Sequence, residues 1–464
     1  MTPEPGELRA PATGAVLGVL APVDLAAAAA AARVAQPLWA LLPPAARARY
    51  LRRAAVALLD ELDELADRLA GETGWPRSHL IVSELLPAVR GLHALARDGP
   101  AALADRRLHA RMAALARRRS LLLQAPAGLV GLRGPSASPW FGPAVETAAA
   151  LLAGNGVLLA AGDPLAARRL RAVFLRAGVP GELLVPVTEG ARLLDSVCDR
   201  VVDLPRPTRM GTLLVLRGAP RAAVVEAAVW AAFAGSGRHP AAAGRLVVAG
   251  SAAPGLAGAI AQAAARLRVG DPRDPATDVG PLASPADLRA VEDALAGARA
   301  VRGGGRVAVP GLEGVYCAPA VLDSAAAFAA PPPGPVLTVV EAPDQPSAIA
   351  LAASGGREGV VSIWTGDREQ GERIARGLPA AAVCVGRHAL PAPAVGVRLA
   401  RHVAPRRVET RAARTPAAMR LPAPAGAVDA RAAFHEALHG REARRWPALR
   451  RGAVALLRAA TDRA

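Results

Sequence analysis

Lysine is missing from this chain and asparagine occurs once, at Asn155, so the formal net charge of +17 at pH 7 rests on arginine alone. Aromatic residues make up only 3%, and the arginines are spread along the whole length. No stacking platform with interleaved basic residues is present. Specific nucleic-acid binding is therefore not expected, and the charge reads as solubility and non-specific anion contact. Three cysteines, Cys198, Cys317 and Cys384, exclude a disulfide framework, and none has metal-like spacing. Cys384 lies in Ala382-Val-Cys-Val385, a short β-branched run that reads as a core strand. Cys198 is expected to be more exposed. No basic start leads into a long apolar run, because Leu25 to Ala35 is short and broken by Arg33. Neither a signal peptide nor a membrane span is expected, and a cytoplasmic location is the default.

What is present in quantity is apolar surface. With 464 residues and 52% apolar content, the chain can bury cores for two or three domains. Apolar residues three and four apart predict helices over Asp24 to Trp39, Pro44 to Glu72 and Ser83 to Arg97. Arg117 to Gln124 reads as extended. From Gly128 onward, short apolar strands (Leu129 to Leu132, Val157 to Ala160) alternate with helices (Ala144 to Leu152, Pro164 to Ala177), which is a parallel α/β layout. A second α/β unit starts near Gly211, with a strand over Arg245 to Val248 and helices over Ala222 to Ala234 and Pro285 to Ala296. The expected divisions are residues 1–210, 211–390, a segment 391–426 and a helical tail 427–464.

The window Trp230-Ala-Ala-Phe-Ala-Gly-Ser-Gly-Arg-His-Pro240-Ala-Ala-Ala-Gly-Arg-Leu-Val-Val248 resembles the Phe-Ala-x-x-Gly-x-x-Cys-x-Ala-x-x-Arg-Val-x-Val stretch of the aldehyde dehydrogenase superfamily. Further matching windows follow in family order: Pro126-Ala-Gly-Leu-Val-Gly131, Leu152-Ala-Gly-Asn-Gly-Val-Leu-Leu159, Val269-Gly-Asp-Pro-Arg-Asp-Pro-Ala-Thr-Asp-Val-Gly-Pro-Leu282 and Ser362-Ile-Trp-Thr-Gly-Asp367. The similarity runs over about residues 9 to 390. It implies a Rossmann-like domain plus a second α/β domain, a cysteine nucleophile and an NAD(P) cofactor. It also implies a strand that crosses to a partner subunit, for which Val395 to Ala400 is the candidate. A homo-oligomer, or a hetero-oligomer with an active aldehyde dehydrogenase, is expected.

The residues that the resemblance assigns to chemistry have nevertheless changed. Pro240 falls on the nucleophilic cysteine, and an imino acid ring cannot form the thiohemiacetal. Ala137 falls on the oxyanion-stabilising Asn; losing one such donor costs roughly 10²- to 10³-fold in rate. The general-base Glu has no counterpart in Thr208-Arg-Met-Gly-Thr-Leu-Leu-Val-Leu216, and the chain before it is short by about a helix and a strand, with Pro205 and Pro207 where a pyrophosphate turn belongs. Ala160 replaces the ribose-binding Lys, while Asp163 keeps a carboxylate three residues later. Pro331 and Pro333 replace the Glu and Phe of a second ribose contact. Drift of an unused site explains these losses more economically than relocation of chemistry, so a catalytically silent homologue without cofactor is expected. Ser236 or Cys198 as a substitute nucleophile, with NAD(P), is the enzyme alternative.

The tail holds two further features. Arg450-Arg-Gly-Ala-Val-Ala-Leu-Leu457 nearly repeats Arg52-Arg-Ala-Ala-Val-Ala-Leu-Leu59, as in the opening of a vestigial second copy. His435-Glu-Ala-Leu-His439 fits His-Glu-x-x-His, in which His435 and His439 would hold zinc and Glu436 would activate water. Asp462 is the only later carboxylate that could serve as third ligand after Glu442, so exposed histidines on a helix are the expected reading.

Overall fold

Helix starts are written locally. Asp163, Ser284 and Asp344 each precede a helix with proline in its first turn, and each side chain accepts a first-turn N–H: from Ala166 at 2.9 Å, Asp287 at 3.2 Å and Ser347 at 2.8 Å. Gly74 and Gly154 close the Leu62–Thr73 and Phe141–Ala153 helices in left-handed backbone. The computed structural model describes residues 7–108, 118–134, 138–188, 191–204, 209–239, 241–250, 252–356, 359–388, 394–411, 429, 432–433, 436 and 445–461.

The chain divides into two compact units, residues 1–104 with 124–405, and residues 105–123 with 406–464. The larger unit contains two sheets. One has four parallel strands in the order Leu184–Pro186, Gly156–Ala160, Leu129–Arg133, Arg200–Asp203. Its two central strands and the Phe141–Ala153 helix are almost wholly apolar and buried, as a sheet covered on both faces requires. The other has seven strands in the order Ala300–Gly303, Ala320–Asp323, Val336–Ala342, Arg245–Ala249, Thr212–Val215, Val360–Trp364, Ala382–Val385. Its pairings are parallel except for the edge strand Ala300–Gly303. The architecture is thus the Rossmann-like plus second α/β arrangement that the resemblance implies, with the parallel layout that the alternation of strands and helices implies. The smaller unit has a three-stranded sheet in the order Val403–Arg411, Arg118–Pro126, Arg106–Leu108, and the Arg445–Thr461 helix.

Several local expectations change. The stretch Pro44 to Glu72 is two helices, Pro44–Asp60 and Leu62–Thr73, broken at Glu61. Ahead of the Leu86–Ala102 helix lies a π turn over Leu80–Leu85, whose wider winding accompanies the burial of Ser83 and Glu84. Val395 to Ala400 is not the expected strand. Val395–Arg401 is a helix that buries Leu399 and places Arg398 and Arg401 on the buried Glu146 carboxylate; His402 Nε2 completes that cluster at 2.8 Å from Glu146 Oε2. A strand begins only at Val403. Among the described residues no single helix is long and apolar enough to cross a membrane.

Candidate functional site

Pro240, Ala137, Thr208, Pro205 and Pro207 lie outside the described residues, so the site is read from what flanks them. The segment leading to position 240 is tightly wound. Gly235, Ser236 and Gly237 take φ of 59°, 57° and 75°, and a serine held in that left-handed region needs surrounding support. Ser236 has it: its hydroxyl donates to Gly280 O at 3.1 Å and accepts the Gly280 N–H at 2.9 Å. A side chain on Gly235 would meet the Trp75 ring at 2.7 Å, and one on Gly237 would meet Gly334 O at 2.1 Å. Both glycines are fixed by close approach as well as by φ.

Three histidines surround this loop. His79 Nδ1 accepts the Gly235 N–H at 2.9 Å, and its ring stands edge-on to Trp230. His239 Nδ1 accepts the Ala241 N–H at 3.0 Å. His388 Nε2 donates to Ala241 O at 2.9 Å, which leaves Nδ1 to accept from the Ser362 hydroxyl at 2.8 Å. Burial pushes all three imidazoles down, His79 to about 4, His239 to about 3 and His388 to about 4, so they are neutral at pH 7.

Arginines fill the remaining space. Arg209, in the stretch Thr208 to Leu216, is buried in left-handed backbone with φ 54°. Its guanidinium donates to Ala232 O at 3.1 Å, to Gly237 O at 2.7 Å and to Val336 O. Arg238 donates to Thr73 O at 3.0 Å and lies 5.9 Å above the Trp75 ring. Burial lowers both to about 10, still charged at neutral pH.

Chemically, this arrangement offers little. Ser236 is saturated by Gly280. Ser362 and His388 form a hydroxyl–imidazole pair, but the serine is buried in the sheet and the imidazole proton is committed to a carbonyl, so no carboxylate orients the ring as a base. Cys198 is half-buried rather than exposed, and burial, then Asp199, raises its thiol to about 11. It is a poor nucleophile.

The cofactor positions do not fit a dinucleotide. Ala160 ends a strand with a buried methyl group, and the Asp163 carboxylate is engaged in capping the Pro164–Arg176 helix. Burial, before all other causes, raises its pKa. Pro331 packs where a side chain on Gly244 would stand 2.5 Å away, and Pro333 precedes Gly334, which faces Gly237. Neither can hold a ribose hydroxyl by a side-chain hydrogen bond. Asp163→Ala is expected to cost about 1 kcal/mol of stability, the loss of a helix cap, read as a lower urea midpoint. Glu436 pairs with Arg451; His435 and His439 lie outside the described residues, and among those described no group of three or more His, Cys, Asp or Glu could hold a metal.

Sequence reasoning did not single out Trp75, Arg209, His79 or His388 as neighbours of position 240. Their separation along the chain leaves no spacing signal.

Comparisons with known proteins show the family and the fold. The model of the aldehyde dehydrogenase family matches residues 3–202 and 211–399. The interruption falls over residues 203–210, the stretch before the segment in which no general-base Glu is found. An NADP(+)-dependent succinate-semialdehyde dehydrogenase of Deinococcus radiodurans is 27% identical over 390 residues, covering 73% of this chain and 77% of that protein. A betaine aldehyde dehydrogenase of Cereibacter sphaeroides is 27% identical over 436 residues, covering 84% and 88%. The solved structure of an NAD-dependent benzaldehyde dehydrogenase from Corynebacterium glutamicum superposes with a TM-score of 0.77 at 20% identity, covering 88% of this chain and 93% of that one.

Proposed function

Because the chain belongs to the aldehyde dehydrogenase family while its nucleophile, oxyanion and ribose positions read Pro240, Ala137, Ala160, Pro331 and Pro333, we propose that it is a catalytically silent member that acts through assembly with an active paralogue. The observation that carries this reading is the loop before position 240. It is pinned by Ser236 and Gly280, backed by the buried Arg209 and surrounded by neutral histidines. Such a loop is rigid support without a reacting group. The buried core supports a role for the scaffold itself, and drift at the chemical positions follows when only the scaffold is used.

Nucleotide binding, turnover, a Pro240→Cys variant and co-expression test the proposal. Calorimetric titration with NAD and NADP at millimolar levels yields no heat of binding, and no turnover is seen with short aldehydes or with succinate semialdehyde. Pro240→Cys yields a titratable thiol but still no turnover, since neither the amide donor nor a base is restored. Saturable heat with either nucleotide, or aldehyde-dependent reduction of it, would instead establish the competing reading, an NAD(P)-dependent aldehyde oxidoreductase such as the relatives are named to be. Co-expression with an active aldehyde dehydrogenase is expected to yield a mixed oligomer by size-exclusion chromatography with mass detection. Complete separation of the two chains counts against the assembly role.

A further inference from the structure

The Leu25–Leu41 helix is seated by one face only. Ala29, Ala32 and Trp39 are buried there, the Trp39 indole donates to Leu151 O at 2.8 Å, and the Gln36 amide donates to Gly154 O at 2.8 Å. The opposite face carries Val34, Leu38 and Leu41, which are 77%, 70% and 80% exposed. Together with the exposed Ala27, Ala30, Ala31 and Pro37 they fall within about 60° of Val34 around the helix axis, a continuous stripe without a charge. We propose that this stripe is a two-fold contact with a second copy of the chain, the two helices running antiparallel about Val34.

The order of side-chain sizes along the helix selects that occupant. An isologous contact sets residue i of one copy against residue j of the other, and j against i. About a centre at Val34, Ala27 meets Leu41, Ala30 meets Leu38, Ala31 meets Pro37, and Val34 meets itself. Each bulky group thus faces a methyl, the alternation of large and small that close helix packing needs. A parallel pairing would instead set leucine on leucine and leave the alanines facing a gap. Covering the stripe on both copies removes about 1,000 Å² from solvent, the size a specific pairing requires. A lipid surface is a poorer match. Arg33, the basic residue of this helix, is held by Asp199 at 2.9 Å, whereas a helix lying on a membrane needs free cations beside its apolar face. The contact uses residues of the larger unit alone and does not depend on whether the chain is catalytically silent.

The test uses the full chain. Under copper–phenanthroline oxidation, Val34→Cys should give a disulfide-linked dimer on non-reducing gels, and so should the double variant A27C/L41C. Ala27→Cys alone should not, because the two positions 27 stand about 20 Å apart along antiparallel axes. Neither should the parent, nor Val56→Cys, which alters an exposed valine on the Pro44–Asp60 helix. By light scattering at micromolar concentration, Val34→Glu should halve the mass of the parent, since it sets two carboxylates together on the two-fold axis. Mixing Val34→Glu with Val34→Arg chains should restore it, and circular dichroism verifies that each variant is folded. The proposal is overturned if Val34→Cys gives no dimer, if Ala27→Cys alone or Val56→Cys links as well as Val34→Cys, or if Val34→Glu keeps the parent mass. It is also overturned, in favour of a lipid surface, if the parent cosediments with phosphatidylglycerol-containing vesicles and Val34→Glu does not.

Discussion

Arg209→Ala is expected to lower the free energy of unfolding by about 3–5 kcal/mol. The guanidinium donates to three buried carbonyls, those of Ala232, Gly237 and Val336, which belong to a helix end, the loop before position 240 and a central strand. Removing it leaves those oxygens without a donor in a place water does not reach. Arg209→Met separates volume from hydrogen bonding: it restores bulk but no donor, and should still lose about 3 kcal/mol. If methionine proved neutral by urea unfolding, Arg209 would be filler and the account of the loop given above would be wrong.

The second large effect is on pH. A histidine whose folded pKa lies below its unfolded value near 6.5 binds a proton in the unfolded chain first, so its stabilising contribution is present above that value and is lost as pH falls toward the folded pKa. His79, His239 and His388 all have this sign. Each should forfeit about 2 kcal/mol between pH 7 and pH 5. Glu84 opposes them. Its carboxylate accepts from Ser138, Trp140 and Phe141, but burial outweighs these bonds and raises it to about 7. The folded state therefore gains a proton there over the same range, recovering about 2 kcal/mol. The net expectation is a loss of about 4 kcal/mol from pH 7 to pH 5, seen as a falling urea midpoint at constant slope. His388→Gln, whose amide can still donate to Ala241 O and accept from Ser362, should flatten the profile by about a third of the histidine share. An unchanged profile in that variant would remove His388 from the explanation.

How much of this was legible beforehand differs by kind of residue. The strands and helices of the larger unit follow from local apolar periodicity and from caps such as Asp163 before Pro164, so the α/β layout could be read directly. The expected losses at Pro240, Ala137 and Ala160 come from motif position alone, and Pro240 and Ala137 lie outside the described residues. The Val395–Arg401 helix could not be read from its alternating pattern, since its conformation depends on Glu146, some 250 residues earlier. Arg209 offered no signal either; a buried arginine bonded only to carbonyls has no acidic partner to betray it.

Glu146 ties the halves of the polypeptide into an order of events during synthesis. Its carboxylate is fully enclosed, yet its partners, the counter-charges Arg398 and Arg401 and the hydrogen-bonded His402, are made more than 250 residues later. A nascent chain that has emerged only through its first parallel strands must keep that helix loosely seated, because a lone enclosed anion is prohibitively costly. Final consolidation of the first-made half therefore waits for the last-made helix of the larger unit, which makes premature termination before residue 402 a defect of the beginning of the protein as much as of its end.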